Sequence, residues 1–275
     1  MSITTTDNPR RIEDLAESLE NIRAARPIAM EVLRLADDPN ADAAKIAASI
    51  DQDPILMAQV LRLANSAAFG MERRVASTQI AVAILGFSTI RSIAILVASG
   101  LRNLKHSPPE SFWEHSAATA AACSILSRRF SVSPGDGFAL GLIHDIGIPM
   151  LNCADPVTYA ALSAERFDDS DSCLAEANEF GMDHAEAAGL VLGMWSFPEA
   201  TVDAVARHHI AERPVSNEGK LLAAADALSH LAVDKKSEVD YARLEMLGFA
   251  DDEIKRYRKD VGGKTGGILA GLLRS

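Results

Sequence analysis

The chain of 275 residues is long enough to bury a hydrophobic core in one large domain or two small ones. Apolar residues make up 48% and charged residues 24%, a balance that excludes disorder along the whole chain. The 38 acidic and 27 basic residues give a net charge of −11, and an acidic surface repels phosphate backbones. We therefore expect no nucleic-acid partner.

Cysteine usage and hydropathy indicate a cytoplasmic protein with no membrane association. Cys123, Cys153 and Cys173 form no CxxC pair, so we expect small core residues in a reducing compartment rather than disulfides or nucleophiles. The N-terminus has no apolar region typical of a secretory signal. The longest apolar stretch, 92–101, is about half the length that spans a bilayer and predicts a buried helix.

Helical periodicity and abundant Ala and Leu predict an all-α protein. Pro54 fits a helix start, Gly86 a boundary and Ser88 an N-cap. The helices predicted in the first half cover residues 11–25, 27–36, 41–50, 54–64, 77–85 and 88–101.

The second half contains several capping signals. Ser133 predicts the start of a helix that ends near Gly147, and Asp183 with Glu186 forms a capping-box pattern. Ser196 is predicted to open a helix that ends near the two adjacent histidines. Further helices are predicted over 110–130, 216–232 and 251–259, and the glycine-rich stretch 262–267 is predicted to be a flexible connector.

A set of histidines and aspartates recurs at intervals of about one helix, a turn and part of another. In an antiparallel bundle such spacing returns side chains to the same end, where they can converge. Imidazole and carboxylate groups are ligands for Zn, Mn, Fe or Ni. The predicted metal ligands are His115, His144, Asp145, His184, His208, His209 and Asp226. We expect one or two divalent transition-metal ions, with Asp145 able to bridge two.

A structural interpretation of the same histidines remains open. A single histidine on an Ala-rich helix, such as His115, is usually a hydrogen-bonded core residue. His106 and His230 fit no pattern. His230 follows Asp226 by four residues on the same helix face, which allows a supporting contact, although a structural or solvated role is favoured. The glycines Gly141 and Gly147 flank the His-Asp pair and would permit close helix approach.

Five segments resemble a known family. They are Asp53–Leu56, Leu61–Gly70, Ser77–Gly86, Gly141–Gly147 and Trp195–Glu199. With the ordered histidines and aspartates they are similar to the HD superfamily of metal-dependent phosphohydrolases, and more closely to the HDOD domain of bacterial signalling proteins. The resemblance covers about residues 20–232.

The resemblance implies an HD-type helical bundle with an N-terminal helical subdomain and a role in signal transduction. The domain organisation that it implies is an N-terminal segment 1–19, an HDOD domain 20–232 and a C-terminal helical tail 233–275. Within the domain, residues 20–106 form the N-terminal helical part and residues 107–232 the HD-like part.

Related cyclic-dinucleotide phosphodiesterases carry a lysine where this chain has Ile148, and a Gly-Tyr-Pro element that is absent here. Ser111 occupies a position where a glutamate would suit a third metal. The resemblance therefore favours an output module that acts by binding a signalling protein or a small ligand, with a metal site. The alternatives are a metal-dependent phosphohydrolase that acts on a nucleotide or cyclic dinucleotide, in which Asp145 would bridge or bind the metal, and an iron-based redox or gas sensor. We expect no useful turnover of cyclic di-GMP.

Overall fold

The computed structural model describes residues 27–98, 108, 110–164, 169–210, 214–233 and 237–273. These residues form helices and turns without any strand, which confirms the all-α prediction. The predicted helix over 11–25, the segment 1–19 and His106 lie outside the described residues. The helices are α1 (Pro27–Asp37), α2 (Ala43–Ile50), α3 (Pro54–Ala64), α4 (Thr78–Ala98), α5 (Glu110–Leu126), α6 (Pro134–Ile143), α7 (Gly147–Ala154), α8 (Pro156–Ala164), α9 (Asp169–Phe180), α10 (His184–Met194), α11 (Glu199–Ala206), α12 (Asn217–Val233), α13 (Glu238–Met246) and α14 (Asp251–Leu273).

Helix α4 is the spine of the N-terminal part of the fold, and α1, α2 and α3 pack around it. Its two predicted segments join directly at Gly86, whose φ of 77° and ψ of 162° lie outside the helical region. A residue with a Cβ atom rarely adopts that φ, so glycine permits the abrupt change of direction. At the start of α3, Asp53 accepts hydrogen bonds from the Ile55 and Leu56 amides, and Pro54 occupies the first turn as predicted.

Helix α5 is the centre of the second half, with α6, α12 and α14 packed on it. Its alanines are buried, which lets neighbouring helices come close. A Cβ atom on Gly141 of α6 would lie 2.6 Å from the backbone oxygen of Thr119, so these two backbones touch through the glycine. Small residues on both helices thus allow α5 and α6 to pack closely against each other.

One buried arginine joins the two halves. Arg91 of α4 pairs with Asp37 of α1, and its Nη2 donates to the backbone oxygens of Trp195 and Ser196 at 3.4 and 3.2 Å. Its guanidinium also lies 4.0 Å from the ring centroid of Phe197. The cation therefore ties α1 and α4 to the loop that precedes α11.

The prediction of a flexible connector over 262–267 is wrong, because this stretch lies inside helix α14. The last glycine of the stretch and one glycine beyond it lie close to the first half of the chain. A Cβ atom on Gly267 would lie 3.2 Å from the Ala67 Cβ, and a Cβ atom on Gly271 would lie 3.3 Å from the Leu63 Cα. Packing energy from this approach offsets the low helix propensity of glycine. Helix α14 thereby contacts α3 in the first half as well as α5 and α12 in the second.

The capping signals have mixed outcomes. Ser133 accepts from the Asp136 amide, and the capping box of Asp183 with Glu186 is present, as predicted. The prediction that Ser196 opens the next helix is wrong: Pro198 is the N-cap residue of α11, and Ser196 has a positive φ of 58° in the preceding turn. The helix predicted to end near Gly147 ends at Ile143, and helices α7, α8, α9 and α13 had no sequence prediction.

Two stretches are long and apolar enough to cross a membrane, Thr78–Ala98 and Pro134–Ala154. Within the fold, 67% and 78% of their most apolar windows are buried. The first is divided at Gly86 and the second contains the turn between α6 and α7. Both stretches serve as core helices in this fold.

Candidate metal centre

The His-Asp pair lies in the short turn between α6 and α7. Adjacent residues on a helix point about 100° apart, so both can reach one site only near a helix end, and α6 ends at Ile143. The turn packs tightly on α10: a Cβ atom on Gly147 would lie 1.8 Å from the backbone oxygen of His184. Glycine at this position is therefore what brings His144 and Asp145 next to the histidine of α10.

The structure brings all seven predicted metal ligands into one pocket. Helix α5 supplies one histidine, the α6–α7 turn the His-Asp pair, α10 a second histidine, the end of α11 the paired histidines and α12 the second aspartate. Most of these side chains are buried, with Asp226 and His144 fully so. The seven residues are His115, His144, Asp145, His184, His208, His209 and Asp226.

Asp145 stands at the centre of this pocket. Its Oδ2 lies 3.3 Å from Nε2 of His115, and its Oδ1 lies 3.2 Å from Nε2 of His144 and 3.3 Å from Nε2 of His208. Two groups of possible ligand atoms share this carboxylate, each with its atoms within 4.8 Å of one another. The groups are His115, His144 and Asp145 on one side, and Asp145, His184, His208 and His209 on the other.

Backbone carbonyls fix the tautomers of two of these histidines. Nδ1 of His144 lies 2.9 Å from the Gly141 oxygen, and Nδ1 of His208 lies 2.6 Å from the Val205 oxygen. A carbonyl oxygen only accepts, so each Nδ1 carries the proton and donates it. In the neutral rings, each Nε2 then presents a lone pair toward Asp145, the orientation that a metal ligand requires.

Side-chain oxygens are the hydrogen-bond partners of Nδ1 in two more histidines. Nδ1 of His184 lies 2.6 Å from Oε2 of Glu176. Nδ1 of His115 lies 3.1 Å from the Ser229 hydroxyl, which itself donates to the Asp226 backbone oxygen and so accepts from the ring. Four Nε2 atoms are thereby aimed at the same small volume.

The pocket fits a cation. Nε2 of His115 and Nε2 of His144 lie 3.0 Å apart, a distance at which two lone pairs repel unless a positive charge lies between or beside them. Four buried atoms have no hydrogen-bond partner among the described residues, namely Oδ1 of Asp145, Nε2 of His208 and both carboxylate oxygens of Asp226. Buried unpaired acceptors are costly, and metal coordination would satisfy them.

The charges of the pocket agree with this donor set. Burial opposes ionisation of Asp145 and Asp226, but the surrounding histidines outweigh it and hold each carboxyl pKa well below its usual range. Burial, with the neighbouring His208 and His184, holds the pKa of His209 well below the ordinary imidazole value. Burial also lowers the pKa of His144. The pocket thus favours carboxylates at Asp145 and Asp226 and neutral imidazoles at His144 and His209.

Sequence reasoning missed Glu176, which supports the site from α9. Its Oε2 accepts from both the backbone amide and Nδ1 of His184, and its Oε1 accepts from the Tyr159 hydroxyl at 2.8 Å. Burial lowers the pKa of His184, but this hydrogen bond and the Asp145 charge raise it to about 9. No sequence pattern marked Glu176, because α9 is otherwise polar and acidic.

Two further basic residues contact the pocket from α12 and α13. The ring of His230 stacks on that of His115 with centroids 4.8 Å apart, and its Nε2 lies 3.8 Å from Oδ1 of Asp226. Nη1 of Arg243 lies 3.7 Å from Oδ2 of Asp226, and its Nη2 donates to the His208 backbone oxygen at 2.9 Å. Arg243 therefore brings a positive charge to the site from outside the predicted HDOD domain.

Comparisons with known proteins define the family. The HDOD domain model matches residues 24–211, more than half of the chain. The fold is shared with a protein of Shewanella amazonensis SB2B that is provisionally named a phosphohydrolase, at a TM-score of 0.72 and 23% identity, over 94% of this chain and 98% of that one. It is also shared with an HDOD domain protein of unknown function from Geobacter sulfurreducens, at a TM-score of 0.62 and 20% identity, over 95% and 98%.

Two relatives are more similar in sequence to this chain. The MmoQ response regulator of Methylococcus capsulatus str. Bath is 27% identical, with a TM-score of 0.50 over 85% of this chain and 96% of that chain. An uncharacterized protein of Treponema pallidum (strain Nichols) is 24% identical over 211 residues, 74% of this chain. This chain spans about 40% of the length of that protein. The chain belongs to the HDOD family, as the sequence motifs predicted.

Proposed function

We propose that the chain is a signal-transduction output module that holds divalent transition metal in the His/Asp pocket and acts by binding a partner protein or small ligand. Membership of the HDOD family and the likeness to a response regulator support the signalling role. The single observation that carries the metal is the convergence of four imidazole Nε2 atoms on the carboxylate of Asp145.

In this proposal His115, His144, Asp145 and Asp226 would hold one ion, and Asp145, His184, His208 and His209 would hold a second. Such ions, when bound, join five helical elements through strong bonds and supply Lewis acidity to a phosphate ester that enters the pocket. The identity of the ions among Fe, Mn, Ni and Zn follows from availability as much as from the donor set.

Elemental analysis of the purified protein tests this site. We expect up to two transition-metal ions per chain, and Asp145→Ala should lose most of them while the helical circular dichroism is retained. The control is Asp203→Ala, which removes an exposed carboxylate from α11 near the paired histidines. Equal metal content in wild type and Asp145→Ala would show that the histidines are core residues.

A metal-dependent phosphohydrolase is the second candidate, and Arg243 is the observation that favours it. Hydrolysis of a phosphate ester needs positive groups near the developing negative charge, and Ile148 replaces the lysine of related hydrolases. Arg243 supplies a cation in the pocket instead. However, it already contacts Asp226 and the His208 backbone, which restrains it from following a substrate.

A panel of phosphate esters that includes cyclic di-GMP distinguishes the two candidates. With Mn or Fe supplied, we expect turnover of cyclic di-GMP below about 1 per second, the low end of ordinary enzymes. Faster turnover that disappears in Asp145→Ala and falls in Arg243→Ala would establish the hydrolase. Arg258→Ala, which changes the same charge on α14, is the control.

A further inference from the structure

A separate, open cavity lies between the end of α3, the loop 65–76 and the last turns of α14, and no predicted metal ligand lines it. It has a volume of about 790 Å³. This size lies in the range of small-molecule sites. We propose that it binds a small phosphate-bearing molecule of nucleotide size.

The charge of the lining favours an anion. Arg62, Arg73 and Arg74 line the cavity, and none of the described residues that line it is acidic, in a chain whose net charge is −11. Arg73 and Arg74 have no ion pair with any other residue that the structure describes. Guanidinium groups match the oxygens of a phosphate in bidentate geometry, and several together suit a group with more than one negative charge.

A buried hydroxyl gives an independent reason for a ligand. Ser66 lines the cavity, is 8% exposed, and its Oγ has no hydrogen-bond partner among the described residues. Such a group is destabilising unless something bonds to it, so an unexplained one in a cavity wall indicates a missing partner. The Oγ atom itself is shielded from solvent, so a phosphate oxygen would accept its proton once neighbouring side chains move aside.

The loop that carries the arginines is held in place before any ligand arrives. Nδ2 of Asn65 donates to the backbone oxygens of Leu61 and Val75 at 2.7 and 2.8 Å, and its Oδ1 accepts from the Val75 amide at 2.7 Å. Asn65 thus joins the two ends of the loop. A preformed loop lowers the entropic cost of binding.

Helix α14 forms the opposite wall with small residues. Gly267 and Gly271 line the cavity and also make the close contacts with Ala67 and Leu63 described above. The wall is therefore rigid and has no side chain that would fill the space. The open cavity between the clamped loop and this helix has room for a molecule of nucleotide size.

Calorimetric titration of the full chain tests the proposal, with ADP and inorganic pyrophosphate as probes and adenosine as the uncharged control. We expect both phosphates to bind saturably and adenosine not to bind. Replacing both arginines, Arg73→Ala with Arg74→Ala, should weaken ADP binding by roughly thirtyfold or more. The matched control, Arg258→Ala with Lys259→Ala, makes the same charge change on α14 and should weaken it less than about threefold.

Two further variants separate this cavity from the metal pocket and from a structural role. Asp145→Ala should bind ADP as tightly as wild type, because that carboxylate lines no part of this cavity. Ser66→Ala should weaken ADP binding severalfold while its thermal stability is unchanged, since the hydroxyl has no intramolecular bond to lose.

Three results would overturn the proposal. They are no saturable binding of either phosphate at millimolar concentration, loss of binding in Asp145→Ala, and equal weakening by the two double variants. An acidic peptide that binds in place of ADP would overturn it as well.

Discussion

Replacing Glu176 with glutamine should change the pH dependence of metal binding more than any other single substitution near the pocket. The hydrogen bond with Glu176 helps raise the pKa of His184 to about 9, so in the metal-free protein this ring carries a second proton at pH 7. That proton competes with a metal ion for Nε2. The affinity of wild type for metal should therefore rise by roughly fiftyfold between pH 7 and pH 9, the change in the unprotonated fraction of His184.

Glutamine keeps an acceptor for Nδ1 of His184 but removes the charge that stabilises the protonated ring. The pKa then falls toward the ordinary imidazole value, and the affinity should rise less than about threefold over the same interval. At pH 9 the variant should bind metal about tenfold more weakly than wild type, because an uncharged partner makes the imidazole a poorer donor.

The assay is competition for Zn with a chelator of known affinity at each pH, and Glu179→Gln on the exposed face of α9 is the control. The same linkage acts on the metal-free fold. The proton on His184 stabilises it fully below pH 6.5, and this contribution is lost as the pH rises through about 9. Parallel pH profiles for wild type and Glu176→Gln would refute the role of this carboxylate.

Four substitutions test the packing, each by urea denaturation. Gly147→Ala should cost about 3 kcal/mol, because its Cβ would overlap the backbone oxygen of His184, and bound metal should fall with it. Gly263→Ala should instead stabilise the protein by about 0.5–1 kcal/mol, since it lies in a helix with nothing within 4 Å of the new atom; no gain would contradict a helix there. Asn65→Ala should cost about 2–3 kcal/mol through three lost hydrogen bonds, and an unchanged midpoint would contradict the loop clamp. Arg91→Met should cost about 3 kcal/mol, and a value below about 1 kcal/mol would show that this cation does not join the two halves.

The elements that the sequence predicts well are those with local causes. The capping box of Asp183 is local, because its two hydrogen bonds close within four residues. The convergence of the histidines was predictable from spacing, since short antiparallel helices return the chain to the same end. The helical state of the glycine-rich stretch was not predictable, because it depends on close contact of α14 with Ala67 and Leu63, some 200 residues earlier.

The supporting residues of the site were less predictable than the ligands. Glu176 and Arg243 lie on polar helices whose sequences resemble ordinary exposed surface. Their roles arise from burial against the pocket, which tertiary packing decides. Ser196 has a side chain suited to capping but does not cap α11. It lies in a turn with a positive φ, and its backbone oxygen accepts a hydrogen bond from Arg91.

The position of Asp226 has a consequence for how relatives of this protein are grouped. The matched family region ends at residue 211, yet this buried aspartate and Arg243 both lie beyond it. A match to that region therefore carries no information about this carboxylate, whose Oδ1 lies 3.2 Å from Nε2 of His115. The other six candidate ligands lie inside the matched region, so a match to that region covers the family motifs and most of the candidate site but leaves its buried second aspartate untested.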